Sequence, residues 1–163
     1  MRTTMTRLRA TIGLGAWLVL CFGAAAVGSV FTAGSVGTWY SLLRKPPWTP
    51  PNSAFGPAWT ILYAMMAIAA WRVWMMGGFS AQRRPLVLFL VQLAANVGWS
   101  VVFFGARMPG LGFAWIVVLW ALILATTVAF WRRSALAGWL MVPYLLWVGF
   151  ASALNLSVWL LNR

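Results

Sequence analysis

Five long apolar runs decide what this chain can fold into. They cover roughly residues 11–33, 55–77, 85–105, 110–131 and 135–160, separated by polar or Pro/Gly-containing breaks. Each holds about 20 residues or more, enough at about 1.5 Å per residue to cross a hydrocarbon core about 30 Å thick. No water satisfies the backbone inside a bilayer, so each run must close its own hydrogen bonds as a helix. The expected fold is an all-α integral membrane protein. It is a single domain over residues 1–163, a bundle of five transmembrane helices with a long Pro/Trp-rich first loop. Gly77-Gly78 closes the second run, Pro85 opens the third, Pro109-Gly110 turns into the fourth, and Arg132-Arg133 ends it. The first run follows Arg2, Arg7 and Arg9 and carries small residues at Ala24–Ala26, as a signal peptide would. It stays apolar to Phe31, longer than the core of such a signal, so it is expected to be retained as a span.

The ionisable residues narrow the chemistry. The chain carries 12 Arg plus Lys and no Asp, Glu or His. Paired-carboxylate acid/base catalysis, a Ser-His-Asp triad and any His- or carboxylate-ligated metal site are excluded; no metal site is expected. Cys21 is the only cysteine and lies in apolar sequence, which suits a small buried hydrophobe. A net charge of +12 has no internal compensation, so the cations must meet lipid phosphate, water, helix C-termini or an anionic ligand. They are scattered between hydrophobic runs instead of forming one stripe, which argues against nucleic acid. Alternating spans put Arg2, Arg7, Arg9, Arg83, Arg84, Arg132 and Arg133 on one side, with Arg72 near enough to snorkel there. Arg44, Lys45, Arg107 and Arg163 fall on the other. The positive-inside rule then predicts a cytoplasmic N-terminus and an outward first loop.

That loop, residues 34–54, holds four prolines in six residues from Pro46 to Pro51. They should make the segment extended and stiff. Trp39, Tyr40 and Trp48 suit a membrane interface. The loop reads either as a mere connection or as a rigid lid over a pocket, with Arg44 and Lys45 near its mouth. Tryptophan occurs 13 times. Interface anchoring accounts for Trp17, Trp39, Trp48, Trp74, Trp131, Trp139 and Trp159, near span ends. Trp59, Trp99, Trp115, Trp120 and Trp147 lie deeper. Trp59, Tyr63 and Met66 share a helix face; so do Asn96, Trp99 and Phe103, and Tyr144, Trp147, Ala151 and Asn155. Such stripes are more often packing than a ligand site. Gln92, Asn96, Ser100 and Asn155 are intramembrane polar groups that should face the bundle interior.

The string Trp39-Tyr40-x-x-Leu43-x-Lys45-Pro46-x-Trp48-x-Pro50-Pro51, followed by Phe55-x-x-x-Trp59-x-x-Leu62-Tyr63, resembles the tryptophan-rich sensory protein family. That family includes the mitochondrial translocator protein, also known as the peripheral benzodiazepine receptor. Gln92-Leu93-x-x-Asn96-x-x-Trp99 and Val142-Pro143-Tyr144-Leu145-x-Trp147, continuing to Ala151-x-x-Leu154-Asn155, extend the resemblance along the chain. It implies a five-helix bundle in a membrane, here expected to be a bacterial cell membrane, usually as a homodimer. It also implies binding of porphyrins such as protoporphyrin IX and of benzodiazepine-receptor-type ligands. By this resemblance the pocket lining would be Tyr40, Trp59, Tyr63, Asn96, Trp99, Trp147 and Ala151, under a lid of Arg44, Lys45, Pro46, Trp48, Pro50 and Pro51. Trp59 and Trp147 match positions implicated in light-dependent porphyrin breakdown by bacterial relatives. Ser41 stands where many relatives have Asp or Glu, which removes a loop salt bridge with Arg44 or Lys45. Leu156 and Ser157 replace the tyrosine of the cholesterol motif, so cholesterol specificity is not expected.

The leading expectation is a membrane protein that binds a tetrapyrrole for sensing, transport or disposal, with no required cofactor and porphyrin as ligand. A flat π-system should stack on indoles, with its propionates near Arg44 or Lys45. Without His, metal-free porphyrin is favoured over haem. Proton-coupled antiport needs an intramembrane titratable group, and none is present. Facilitated passage of small hydrophobic ligands, and enzyme-like photo-oxidation resting on the bound porphyrin, remain as alternatives. Ala94 and Gly98, with Gly105 further along, put small residues on the third run where a homodimer could pack.

Overall fold

The computed structural model describes residues 7–163; Arg2 lies outside them. Helix α1 runs Arg7–Val36, α2 Trp39–Leu42, α3 Asn52–Trp74, α4 Gly78–Ala81, α5 Arg83–Ser100, α6 Pro109–Trp131 and α7 Ala135–Leu161. A π-helical turn, Val101–Gly105, extends α5. Among the described residues there is no strand. Five helical stretches are long and apolar enough to cross a membrane: α1, α3, α5 with its π turn, α6 and α7. The expected all-α, five-span architecture is what the chain adopts.

The boundaries depart from expectation in three places. Helix α1 continues to Val36 and α3 begins at Asn52, so the irregular first loop shrinks to 43–51, preceded by α2. The second span ends at Trp74, not Gly77, because Gly77 takes φ 122° and Gly78 φ 81°, left-handed values that only glycine adopts without strain. The Pro46–Pro51 segment is not extended throughout. Thr49 donates from both its amide (3.0 Å) and its hydroxyl (2.7 Å) to the Pro46 carbonyl, closing a turn at Pro47-Trp48. At the other end of the bundle Ser134 caps α7 by accepting from the Ala137 amide at 3.4 Å.

Alternation of the spans puts Arg7, Arg9, Arg72, Arg83, Arg84, Arg132 and Arg133 at one face and Arg44, Lys45, Arg107 and Arg163 at the other. The main core joins the inner faces of α1, α3, α5, α6 and α7 around Met66, Phe89, Phe130, Met141 and Tyr144. Cys21 is fully buried, as its apolar setting suggested. Trp17, expected at an interface, is buried instead, edge-on to Phe89 at 5.7 Å. A smaller cluster gathers Tyr40, Phe103, Leu154 and Val158 at the end that carries the first loop, the lid of the resemblance. There Phe104 lies in the last turn of the helix, where its carbonyl has no intrahelical partner, and the Ser35 hydroxyl donates to it at 2.7 Å.

Candidate ligand-binding site

Phe55, Trp59 and Tyr63 recur at four-residue intervals on α3, so they form one stripe. That stripe meets Tyr144, Trp147 and Phe150 of α7. Phe55 packs on Trp147 (6.1 Å between centroids), Trp59 on Tyr144 (6.2 Å) and on Tyr63 (5.7 Å), and Trp147 on Phe150 (5.8 Å). The lid joins the series, with Trp48 edge-on to Phe150 at 5.7 Å. A continuous aromatic seam thus runs from the lid into the bundle. The Trp147 indole N–H is buried without a hydrogen-bond partner, although its ring is only half-buried.

The floor of the seam is polar. The Tyr63 hydroxyl donates to Asn96 Oδ1 at 3.0 Å, Asn96 Nδ2 donates to the Tyr144 hydroxyl at 2.6 Å, and that hydroxyl donates to Gln92 Oε1 at 3.0 Å. Three helices are tied together here, with Gln92 and Asn96 one turn apart on α5. Only Gln92 Nε2 is left without a partner. These groups are amides and phenols, so the network is a chain of hydrogen bonds that polarise one another. A second bond set lies nearer the lid: Trp99 Nε1 donates to Asn155 Oδ1 (3.1 Å), and Asn155 Nδ2 to the Pro109 carbonyl (2.8 Å).

The lid is held by short polar contacts. Lys45 Nζ donates to the carbonyls of Tyr40 (2.8 Å), Leu43 (3.3 Å) and Ser41 (3.4 Å), capping α2, and lies 4.7 Å above the Tyr40 ring. Asn162, at the end of α7, brackets Arg44. Its Oδ1 accepts from the Arg44 amide at 3.0 Å, and its Nδ2 donates to the Arg44 carbonyl at 2.9 Å. Burial pushes the Tyr40 phenol above its ordinary range, so it stays neutral at physiological pH.

A TspO/MBR family model matches residues 16–160. The chain belongs to the TspO/MBR family. It is 43% identical over 150 residues to Protein CrtK of Rhodobacter capsulatus, covering 90% of each chain. It is 44% identical over 144 residues to Tryptophan-rich protein TspO of Chlorobaculum tepidum, covering 88% of this chain and 91% of that one. Identity to the Translocator protein of Homo sapiens is 42% over 135 residues, covering 82% and 80%.

Among the positions singled out by the TspO/MBR resemblance, Trp59, Tyr63, Asn96 and Trp147 come together along α3, α5 and α7, and Ala151 packs on the same core. Tyr40 and Trp99 meet in the lid-end cluster, bridged by Phe103 and Phe104. Pro46 is buried, Pro50 half-buried, and Arg44, Trp48 and Pro51 exposed. The Lys45 ammonium is engaged by the orphan carbonyls of α2. Trp115 and Trp120, which lie well inside their run, are on the outer surface of the bundle and donate to the Ala95 (2.8 Å) and Leu145 (3.1 Å) carbonyls. Gly98 and Gly105 are taken up within the chain. A Cβ at Gly98 would come 2.6 Å from the Trp115 ring, and one at Gly105 2.9 Å from Phe31. Gln92 and Tyr144 belong to the polar floor, outside the lining that the resemblance implies. Gln92 is signalled by its four-residue spacing from Asn96 inside an apolar run, and Tyr144 by the face it shares with Trp147. Asn162 carried no sequence signal.

Proposed function

We propose that this TspO/MBR family protein binds a tetrapyrrole such as protoporphyrin IX in the seam between α3 and α7, for sensing, transport or disposal of porphyrin. The observation that carries the reading is the aromatic run from Trp48 to Tyr63 beside the unpaired, buried Trp147 N–H. A flat π-system gains stacking contact with such rings, and a ring nitrogen or carbonyl on the ligand would satisfy that donor. Neutral aromatic ligands of the benzodiazepine-receptor type suit the same surface. With no histidine, metal-free porphyrin is the favoured form. The exposed Arg44 is available to a propionate, whereas Lys45 is engaged by carbonyls. Titration of protoporphyrin IX against tryptophan fluorescence should give saturable quenching, weakened roughly three- to tenfold in Trp147→Phe, one lost hydrogen bond's worth. Folded protein showing no saturation would rule the reading out.

A second reading follows from Trp59 and Trp147, oxidisable indoles at the positions that the resemblance implicates: light-dependent breakdown of the bound porphyrin. Loss of porphyrin absorbance under illumination, absent in the dark and slowed in Trp59→Phe, separates it from binding alone. We further propose a homodimer in a bacterial cell membrane, with the N-terminus cytoplasmic. Ala94 is exposed on α5, so Ala94→Cys should crosslink in membranes; dimers captured at other positions but never there would exclude α5 from the interface.

A further inference from the structure

The arginine-rich face carries a groove that the porphyrin reading does not use. Arg83, Arg84, Val87, Leu88 and Val91 line it. Arg84, Val87, Leu88 and Val91 fall at i, i+3, i+4 and i+7, so they form one stripe along the start of α5. Val87 and Val91 are 41% and 47% exposed, and both arginines are exposed. From Arg83 to Val91 the helix descends about 12 Å, from the headgroup layer into the upper acyl region. The groove is thus cationic at its mouth and apolar along its length.

No acidic side chain exists anywhere in the chain to neutralise the pair. The arginines also open α5, with nothing acidic in its first turn, so they add to the positive end of the helix dipole. Mutual repulsion and the dipole both call for an anion from outside the protein. From the charge and the shape together, we propose that this groove is a seat for one anionic phospholipid. The guanidiniums hold the headgroup phosphate, and an acyl chain lies along Val87, Leu88 and Val91. Guanidinium forks suit phosphate oxygens better than a lysine would. A soluble phosphate would use the mouth but leave the valines bare, so the lipid is the occupant that fits both parts.

The test uses the full chain, purified in detergent and followed by native mass spectrometry with added phosphatidylglycerol, phosphatidylcholine or inorganic phosphate. Wild type should retain one phosphatidylglycerol in preference to phosphatidylcholine. Each membrane-facing cation is worth about fivefold, so Arg83→Gln with Arg84→Gln should cut that preference roughly twenty- to thirtyfold. Arg132→Gln with Arg133→Gln removes the same charge from the same face outside the groove and should leave the preference within about threefold of wild type. Val91→Trp fills the groove with both arginines intact and should also lose the lipid. Helix content by circular dichroism confirms that each variant is folded. Equal retention of both lipids overturns the proposal, as does equal loss in the two arginine pairs, which would mean diffuse attraction. Full retention in Val91→Trp, or retention of inorganic phosphate alone, would likewise remove the acyl seat.

Discussion

Asn96 holds hydroxyls from two other helices where water offers neither an alternative. Replacing it by Leu keeps side-chain volume and removes both bonds. Tyr63 then loses its acceptor and Tyr144 its donor, which should cost about 1–2 kcal/mol. Thermal unfolding of Asn96→Leu in detergent should therefore shift down, with native helix content unchanged; co-melting with wild type would show the network to be energetically idle. Trp147 presents the opposite case. Its buried N–H has no partner to lose, so Trp147→Phe keeps a smaller aromatic ring in the seam and deletes an unsatisfied donor. The same substitution, which the proposed function expects to weaken porphyrin binding, should leave stability unchanged or raise it slightly. The two positions together separate a polar group that holds the bundle from one that the proposed function assigns to a ligand.

At the scale of elements, the proposed lid hangs on few bonds. Asn162 fastens Arg44 at the water-exposed end of α7, and hydrogen bonds there are worth only about 0.5–1.5 kcal/mol each. Asn162→Ala should loosen the lid and speed ligand dissociation several-fold while leaving the melting temperature nearly unchanged. Pro50→Gly with Pro51→Gly acts through entropy, at about 0.4–1 kcal/mol per site, and should weaken a neutral aromatic ligand by up to about thirtyfold. Stopped-flow dissociation measures the first and equilibrium titration the second; unaltered ligand behaviour in both would show the segment to be only a connection. The number and order of the spans were legible because apolar length is a local property, written into each run. What depends on partners elsewhere was not. Val101–Gly105 is apolar whether α or π, and Ser35, 69 residues away from Phe104, serves the carbonyl that the helix end leaves open. Trp17 and Trp139 both read as interface residues, yet Phe89 waits opposite one and not the other. Trp59 and Tyr63 were visible as one face of α3, grouped with Met66, but their continuation through Phe55 to α7 required the fold. The Asn162 latch joins residues 118 apart and left no local trace.

The whole molecule has an unusual titration behaviour, because it combines a charge of +12 with no carboxylate or imidazole side chain. Between about pH 5 and 8 no side chain with an ordinary pKa changes state. Tyr40, the titratable ring beneath the lid, is displaced the other way. Burial raises its pKa from 10.0, so the folded chain favours the neutral phenol. Its contribution is complete below about pH 10, where the unfolded phenol is also neutral, and is lost as pH climbs above that value. Lid stability should accordingly be flat through neutrality and decline only in strong alkali. Binding of a neutral aromatic ligand should keep constant affinity from about pH 6 to 8, since neither partner exchanges a proton there. Affinity measured across that window in one detergent, at fixed ionic strength, checks the expectation. A tenfold change would require a titrating group in the site, which this composition does not contain, and would overturn the account of the seam as a neutral aromatic surface over an amide and phenol floor.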